Sequence, residues 1–286
     1  MNQLIAFFIS ILLLVGCTEQ VSEVKEDISS ATENAICENE VMATIEAVAD
    51  WIGSYKFSQK TDGIIPEKAT IVLGDTTFLD GDGVDGMIDF GLPGNTEPYG
   101  LLCCDTRYRA GKVHFYLDKP FNFPGSKLTV EIAESDSFYS GTGEYMQRMF
   151  GKFQLQVNGP QSLQFVADSI TMFYPGEVNN VKWSCNYTLS LIEDAGLGMW
   201  GDVYSTEGTS SGINTKGEHF TATIIKPLLK TLKAGCSKVY VDGKTEVSNS
   251  INSTVLLLNY DPVGDKACDQ LTEISINGRK RLFYLE

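Results

Sequence analysis

The chain has 286 residues, 43% of them hydrophobic, enough to build a sizeable core in one large or two small folded units. Lys and Arg number 22 against 37 Asp and Glu, giving a net charge of −15 and a pI near 4.6. Nucleic acid and anionic lipid headgroups would be repelled, which leaves cations, neutral glycans or proteins as partners.

Residues Leu4 to Val15 form an apolar run broken only by Ser10. It is shorter than the roughly 20 residues a spanning helix needs and reads as the core of a signal peptide. The preceding Met1-Asn2-Gln3 carries no Lys or Arg, a departure from the usual pattern. Leu14-Val15-Gly16-Cys17 matches the lipobox at which bacterial lipoprotein precursors are lipidated and cut. Residues 1–16 are therefore expected to be removed, and Cys17 to become a lipidated N-terminus in the cell envelope. Its acyl chains, at roughly 0.8 kcal/mol per buried methylene, would hold the chain on a membrane (a palmitate-type anchor) without any spanning segment. Thr18 in place of Asp after the cysteine favours the outer membrane and leaves the periplasmic or surface face open. Residues 17–36 are polar and acidic, with Glu19, Glu23, Glu26 and Asp27, and read as a tether.

Val41, Ile45, Val48 and Ile52 then recur at spacings of four, three and four, predicting an amphipathic helix over 38–55 in a segment 37–56. From 57 to 286 the period falls to two. Val181, Trp183, Cys185, Tyr187, Leu189 and Leu191 share one strand face, and Lys182, Ser184, Asn186, Thr188 and Ser190 the other. The same alternation runs through 113–117, 128–132, 153–157 and 220–224. Asn158-Gly159, Asp242-Gly243 and Asn277-Gly278 are dipeptides of two-residue hairpins. The expected fold is mainly β, an antiparallel sandwich, long curved sheet or partly open barrel with one N-terminal amphipathic helix. The strand pattern lapses over 193–215, read as a long loop or a seam between two sheets.

Setting Cys17 aside, Cys37, Cys103, Cys104, Cys185, Cys236 and Cys268 form an even set in an oxidising compartment, so disulfides are expected. Cys236 with Cys268 is the favoured bridge, because both fall in the last group of strands. A zinc site is disfavoured, with no CxxC and two histidines, His114 and His219.

Asp80-Gly-Asp-Gly-Val-Asp-Gly86 places carboxylates at alternate positions around glycines, the way short loops wrap calcium. Asp80, Asp82, Asp85 and Asp89 are the candidate ligands. Val84 and Gly91 at the fifth and twelfth positions rule out an EF-hand, and an acidic hairpin turn between 70–73 and 87–90 is the first reading. No GxSxG or Ser, His and Asp set stands out, so catalysis is not expected. A hydrolase built on two carboxylates needs only spacing in three dimensions. Of the aromatic residues, Trp183 alternates with core positions, whereas Trp200 sits in a glycine-rich stretch, 196–201, and is the candidate ligand contact.

The motifs Gly208-Thr-Ser-Ser-Gly-Ile-Asn214, Gly217-Glu-His-Phe220, Ile225-Lys-Pro-Leu228, Asn259-Tyr-Asp261, Cys268-Asp269 and Ile276-Asn-Gly278 occur in this order. Ile88-Asp-Phe-Gly91 and Arg109-Ala-Gly-Lys112 extend the pattern upstream. In this the chain resembles a family of uncharacterised Bacteroidota lipoproteins. The resemblance implies the envelope location, a β-rich C-terminal region and a characteristic cysteine pair at Cys236 and Cys268, with no activity or cofactor. The expected protein is a lipid-anchored envelope component with a non-catalytic structural or binding β domain that meets another envelope protein or a glycan. A calcium-dependent or glycan- or lipid-binding lipoprotein is the alternative.

Overall fold

The computed structural model describes residues 27–53, 64–93, 99–121, 123–176, 178–195, 201–231, 236, 240–251 and 254–285. The predicted signal peptide, Cys17, the first half of the tether and Trp200 lie outside the described residues.

One helix, α1 (Ser29–Gly53), is the centre of the molecule. It starts well before the helix read from periodicity and takes in the second half of the expected tether. Ala31, Ala35, Ala43, Ala47 and Ala49 favour helix along its length. Its N-terminus is closed by Asp27, whose carboxylate accepts the Ser29 backbone N–H at 3.0 Å and the Ser29 hydroxyl at 2.6 Å. Burial alone would raise the Asp27 pKa, but hydrogen bonds from Lys216 and Ser29 hold it down at about 2.

Around α1 runs one antiparallel, open sheet of sixteen strands among the described residues. The N-terminal strands are β1 (Thr70–Leu73), β2 (Val84–Asp89), β3 (Leu101–Leu102), β4 (Tyr108–Ala110), β5 (Lys112–Leu117), β6 (Lys127–Ile132) and β7 (Tyr139–Gly141). Long central strands follow: β8 (Met146–Gly159), β9 (Ser162–Phe173), β10 (Asn180–Glu193), β11 (Val203–Ile213), β12 (His219–Thr231) and β13 (Tyr240–Asn249). The sheet ends with β14 (Val255–Asn259), β15 (Leu271–Ile276) and β16 (Arg279–Tyr284). From β8 to β16 each strand pairs with the next in sequence, as a meander does. Strand β8 pairs with β7 through 146–148 and with β6 through 151–156. Gly151 stands at that change of partner, where the β8–β9 register slips and φ is +136°, and an added Cβ would lie 2.8 Å from Ile170 Cδ1.

The predicted core face of β10 is buried from Val181 to Leu189, as are Val113, Phe115, Leu117, Leu128, Val130, Ile132, Phe153, Leu155, Val157, Phe220 and Ala222. All belong to one core with α1, which touches β6, β7, β8, β10, β11, β13 and β14. The helix is therefore not amphipathic in its setting, because no described side chain from Ser29 to Ile52 is exposed. Its polar residues are held by the sheet instead of water. Ser30 Oγ accepts from Asn214 and Asn249 at 3.0 Å each, and Glu33 accepts the Thr215 hydroxyl at 2.6 Å. Asn34 Oδ1 accepts from Trp183 Nε1 at 2.9 Å and Ser210 Oγ at 2.7 Å. Glu38 accepts from the Tyr187 and Tyr260 hydroxyls, and Glu40 from Arg107 and from Ser140 Oγ at 2.7 Å. Arg109 donates to the Ala43 carbonyl at 3.1 Å while clasped by Asp105 at 2.6 and 2.9 Å. Asp50 accepts the Ile64 N–H at 3.1 Å. Burial raises the Glu38 pKa to about 7 against the opposing pull of its two tyrosine hydrogen bonds.

Several local expectations change. Asn277-Gly278 does form the two-residue turn between β15 and β16, with φ of 49° and 77°. Asn158 and Gly159 end β8 instead, and the turn falls on Pro160 and Gln161, since Gly159 pairs with Ser162. Asp242-Gly243 is no turn but lies inside β13. There Asp242 Oδ1 accepts its neighbour's N–H at 2.7 Å and Lys226 Nζ at 2.6 Å. Gly243, at φ +119°, passes so close to β12 that a Cβ would lie 2.6 Å from Leu228 Cα. The lapse at 193–215 is not a seam, because β11 crosses it and pairs with β10 on one side and β12 on the other in the same sheet.

Cys236 and Cys268 are bridged, with Cα atoms 5.3 Å apart. The remaining described cysteines are free thiols, Cys37, Cys103 and Cys185 buried and Cys104 exposed, so the even set yields this one bridge among the described residues. The buried three lie on the core side, where desolvation raises their pKa values, that of Cys103 to about 11.

Candidate binding face

With α1 against one face of the sheet, what the long strands offer is their other face. Strand alternation places Ser184, Asn186 and Thr188 of β10 there, and the register carries the row sideways. Asn186 stands opposite Thr209, Thr209 opposite Thr223, Ser184 opposite Ser211, Ser211 opposite Thr221 and Thr221 opposite Ser248. In the other direction Asn186 faces Val166, Val166 faces Gln154 and Gln154 faces Thr129. The side chains tie strand to strand. Thr221 and Ser248 share a hydroxyl hydrogen bond at 2.8 Å, Gln154 donates to Thr129 at 3.2 Å, and Gln164 donates to Asn186 and accepts from Thr188.

Because β10, β11 and β12 carry short Ser and Thr side chains here, the surface dips. Two adjoining depressions, each of about 430 Å³, share Ser184, Ser211 and Thr221. One runs on to Asn186, Thr209 and Thr223, the other to Lys182 and His219 at the strand ends. The lining sets Ser, Thr and Asn groups, which both donate and accept, beside apolar surface from Ile213, Phe220 and Ala222 and the side chain of Lys182. Such a surface suits a neutral polyhydroxy or polyamide partner laid across the strands. Sequence reading gives Ser184 and Asn186 as a wet face but leaves 193–215 as a long loop or a seam between two sheets. The missed signal is the alternation of buried Tyr204, Thr206 and Ser210 with outward Glu207, Thr209 and Ser211.

The acidic loop joins β1 to β2, which pair from Thr70 opposite Asp89 to Leu73 opposite Gly86. Of the four candidate aspartates, Asp80 and Asp82 lie together, and Asp75, not singled out from sequence, joins them with oxygens within 4.8 Å of one another. A hydrogen bond between the two carboxyls holds Asp80 below and Asp82 above the usual carboxylate range. Asp85 stays in β2 and accepts the Asp75 N–H at 3.0 Å, bracing the loop. Asp89 is four residues further along β2, about 13 Å away at some 3.3 Å per residue, and caps the turn at Gly91 N (2.8 Å). A cation here would rest on Asp75, Asp80 and Asp82 and take its other oxygens from backbone or water.

The remaining candidates scatter. His114 lies on the outer face of β5, 3.5 Å from Asp136, and His219 opens β12, far along the sheet. Trp183 is a core residue, and Trp200 lies outside the described residues. No described helix is long and apolar enough to cross a membrane. Comparison with family models, curated proteins and solved structures finds no match.

Proposed function

We propose that this is a lipid-anchored bacterial envelope protein, of the lipoprotein kind its N-terminus and motifs resemble, whose β domain binds an envelope protein or glycan through its outer sheet face and performs no catalysis. The observation that carries this is the division of the sheet. One face is filled by α1, and the other carries rows of hydroxyl and amide side chains across β8 to β13, with a shallow groove of mixed polar and apolar lining at its middle. Cys17 supplies the anchor and the outer membrane the expected site.

Photo-crosslinkers placed at Ser211 and Thr223 of the full chain in intact envelopes should capture a partner, while one at the exposed Val178 should not. Capture from Val178 alone, or from none of the three, would contradict the reading. In the same cells Cys17→Ala should abolish fatty-acid labelling and release the chain from the membrane fraction; labelling that persists would remove the anchor.

The gathering of Asp75, Asp80 and Asp82 favours a second reading, calcium-dependent binding. Calorimetric titration with calcium should then show binding that Asp82→Ala removes. Heat that is absent, or unchanged in the variant, leaves an acidic hairpin.

A further inference from the structure

We propose that Lys230 and Glu46 are joined by an intramolecular isopeptide bond that fastens α1 to β12. Lys230 Nζ is in direct contact with Glu46 Oε1, and both side chains are sealed from solvent, at 0% and 2% exposure. The other buried ions have company. Glu40 is shared between Arg107 and Ser140, and Arg109 is held by both oxygens of Asp105 and by a carbonyl. Among the described residues Lys230 Nζ and Glu46 Oε1 have no hydrogen-bond partner apart from their contact with each other. An ammonium has three donors to satisfy, and here it meets one carboxylate and the face of the Tyr204 ring, 6.0 Å away. Tyr204 stands directly opposite Lys230 in the β11–β12 register, and its hydroxyl donates to Asp202 at 3.1 Å.

A dry, isolated ion pair is a poor resting state, because neither charge recovers its lost hydration. Desolvation also pushes the Lys230 pKa well below that of a free lysine, toward the neutral amine that carries a nucleophilic lone pair. With the partner carboxyl protonated, condensation balances within the pair. The amine nitrogen forms a bond to Glu46 Cδ and the Cδ–O bond breaks. The departing hydroxyl takes one amine proton and leaves as water. Both charges vanish, no oxidant or cofactor enters, and the product is a buried amide. The contact persists at zero distance cost because folding holds nitrogen and carboxyl together, as proximity in a water-excluding site requires. The bond would close a covalent loop through most of the sheet, on a scale the Cys236–Cys268 bridge, 32 residues apart, does not reach.

Tryptic mapping of the reduced full chain tests this. Lys226 precedes Pro227, so without the bond the digest yields separate peptides 26–56 and 217–230. With it, cleavage after Lys230 is blocked, and one branched species appears, 26–56 joined to 217–233 and lighter than their sum by one water. Fragment ions should place the link on Glu46 and Lys230, and Lys230→Met should restore a free 26–56. Recovery of both unlinked peptides from the natural chain in full yield would overturn the proposal, whatever the variants do.

Discussion

Arg107→Ala should lower the free energy of unfolding by about 3–5 kcal/mol, the range for removing one partner of a buried ion pair. Arg107 and Glu40 are 1% and 2% exposed, and their contact joins β4's neighbourhood to the middle of α1. Without the guanidinium, Glu40 keeps only Ser140 among the partners described here, and its charge stays in the core. Replacing both residues, as Arg107→Met with Glu40→Leu, should recover much of the loss, because two desolvated ions give way to apolar contact. Lys152→Ala provides the contrast. Lys152 and Glu131 are 4.0 Å apart on the outer face and more than half exposed, so that change should stay below about 1 kcal/mol. Chemical denaturation followed by tryptophan fluorescence measures all three, and an Arg107→Ala loss as small as that of Lys152→Ala would contradict the buried pairing.

The same interior explains what could be read from the sequence and what could not. Val181 to Leu191 announced its strand because one face is wet and the other dry, so composition alternates. β11 did not, because its outward residues are Thr, Ser and Glu and its inward ones include Thr206 and Ser210, leaving little contrast in polarity. Asp242-Gly243 misled because a glycine needed for close passage of two strands looks the same in sequence as a turn glycine. The helix is the instructive case. Its apolar period was legible from Val41 to Ile52, but periodicity does not separate a carboxylate facing water, such as Glu38 would be on a solvated side, from one facing a tyrosine. The groups that satisfy its carboxylates come from far along the chain, 67 residues for Arg107 and 222 for Tyr260. The candidate face divides in the same way. Its β10 half, Ser184 and Asn186, was legible, and its β11–β12 half was not. In the acidic loop Asp80 and Asp82 were legible and Asp75, five residues earlier and brought back by the β1–β2 pairing, was not.

Glu38 carries the second large effect. Its carboxyl sits between Tyr187 and Tyr260 with no exposure to solvent, and burial lifts its pKa from 4.5 to about 7. The folded chain therefore holds a proton that the unfolded chain releases. The stability this contributes is complete below about pH 4.5 and is lost as pH rises through about 7, a fall of about 3 kcal/mol from this group. Glu38→Gln, uncharged at every pH, should flatten that part of the profile while keeping a polar group between the two hydroxyls. The central claim is that α1 is the sheet's polar core and not a tether or an exposed stalk. The most direct test is the carboxyl carbon-13 titration of Glu38 in the folded chain. A midpoint near 7, absent in Glu38→Gln, is the predicted result, and a midpoint at the ordinary 4.5 would place Glu38 in water and contradict the account.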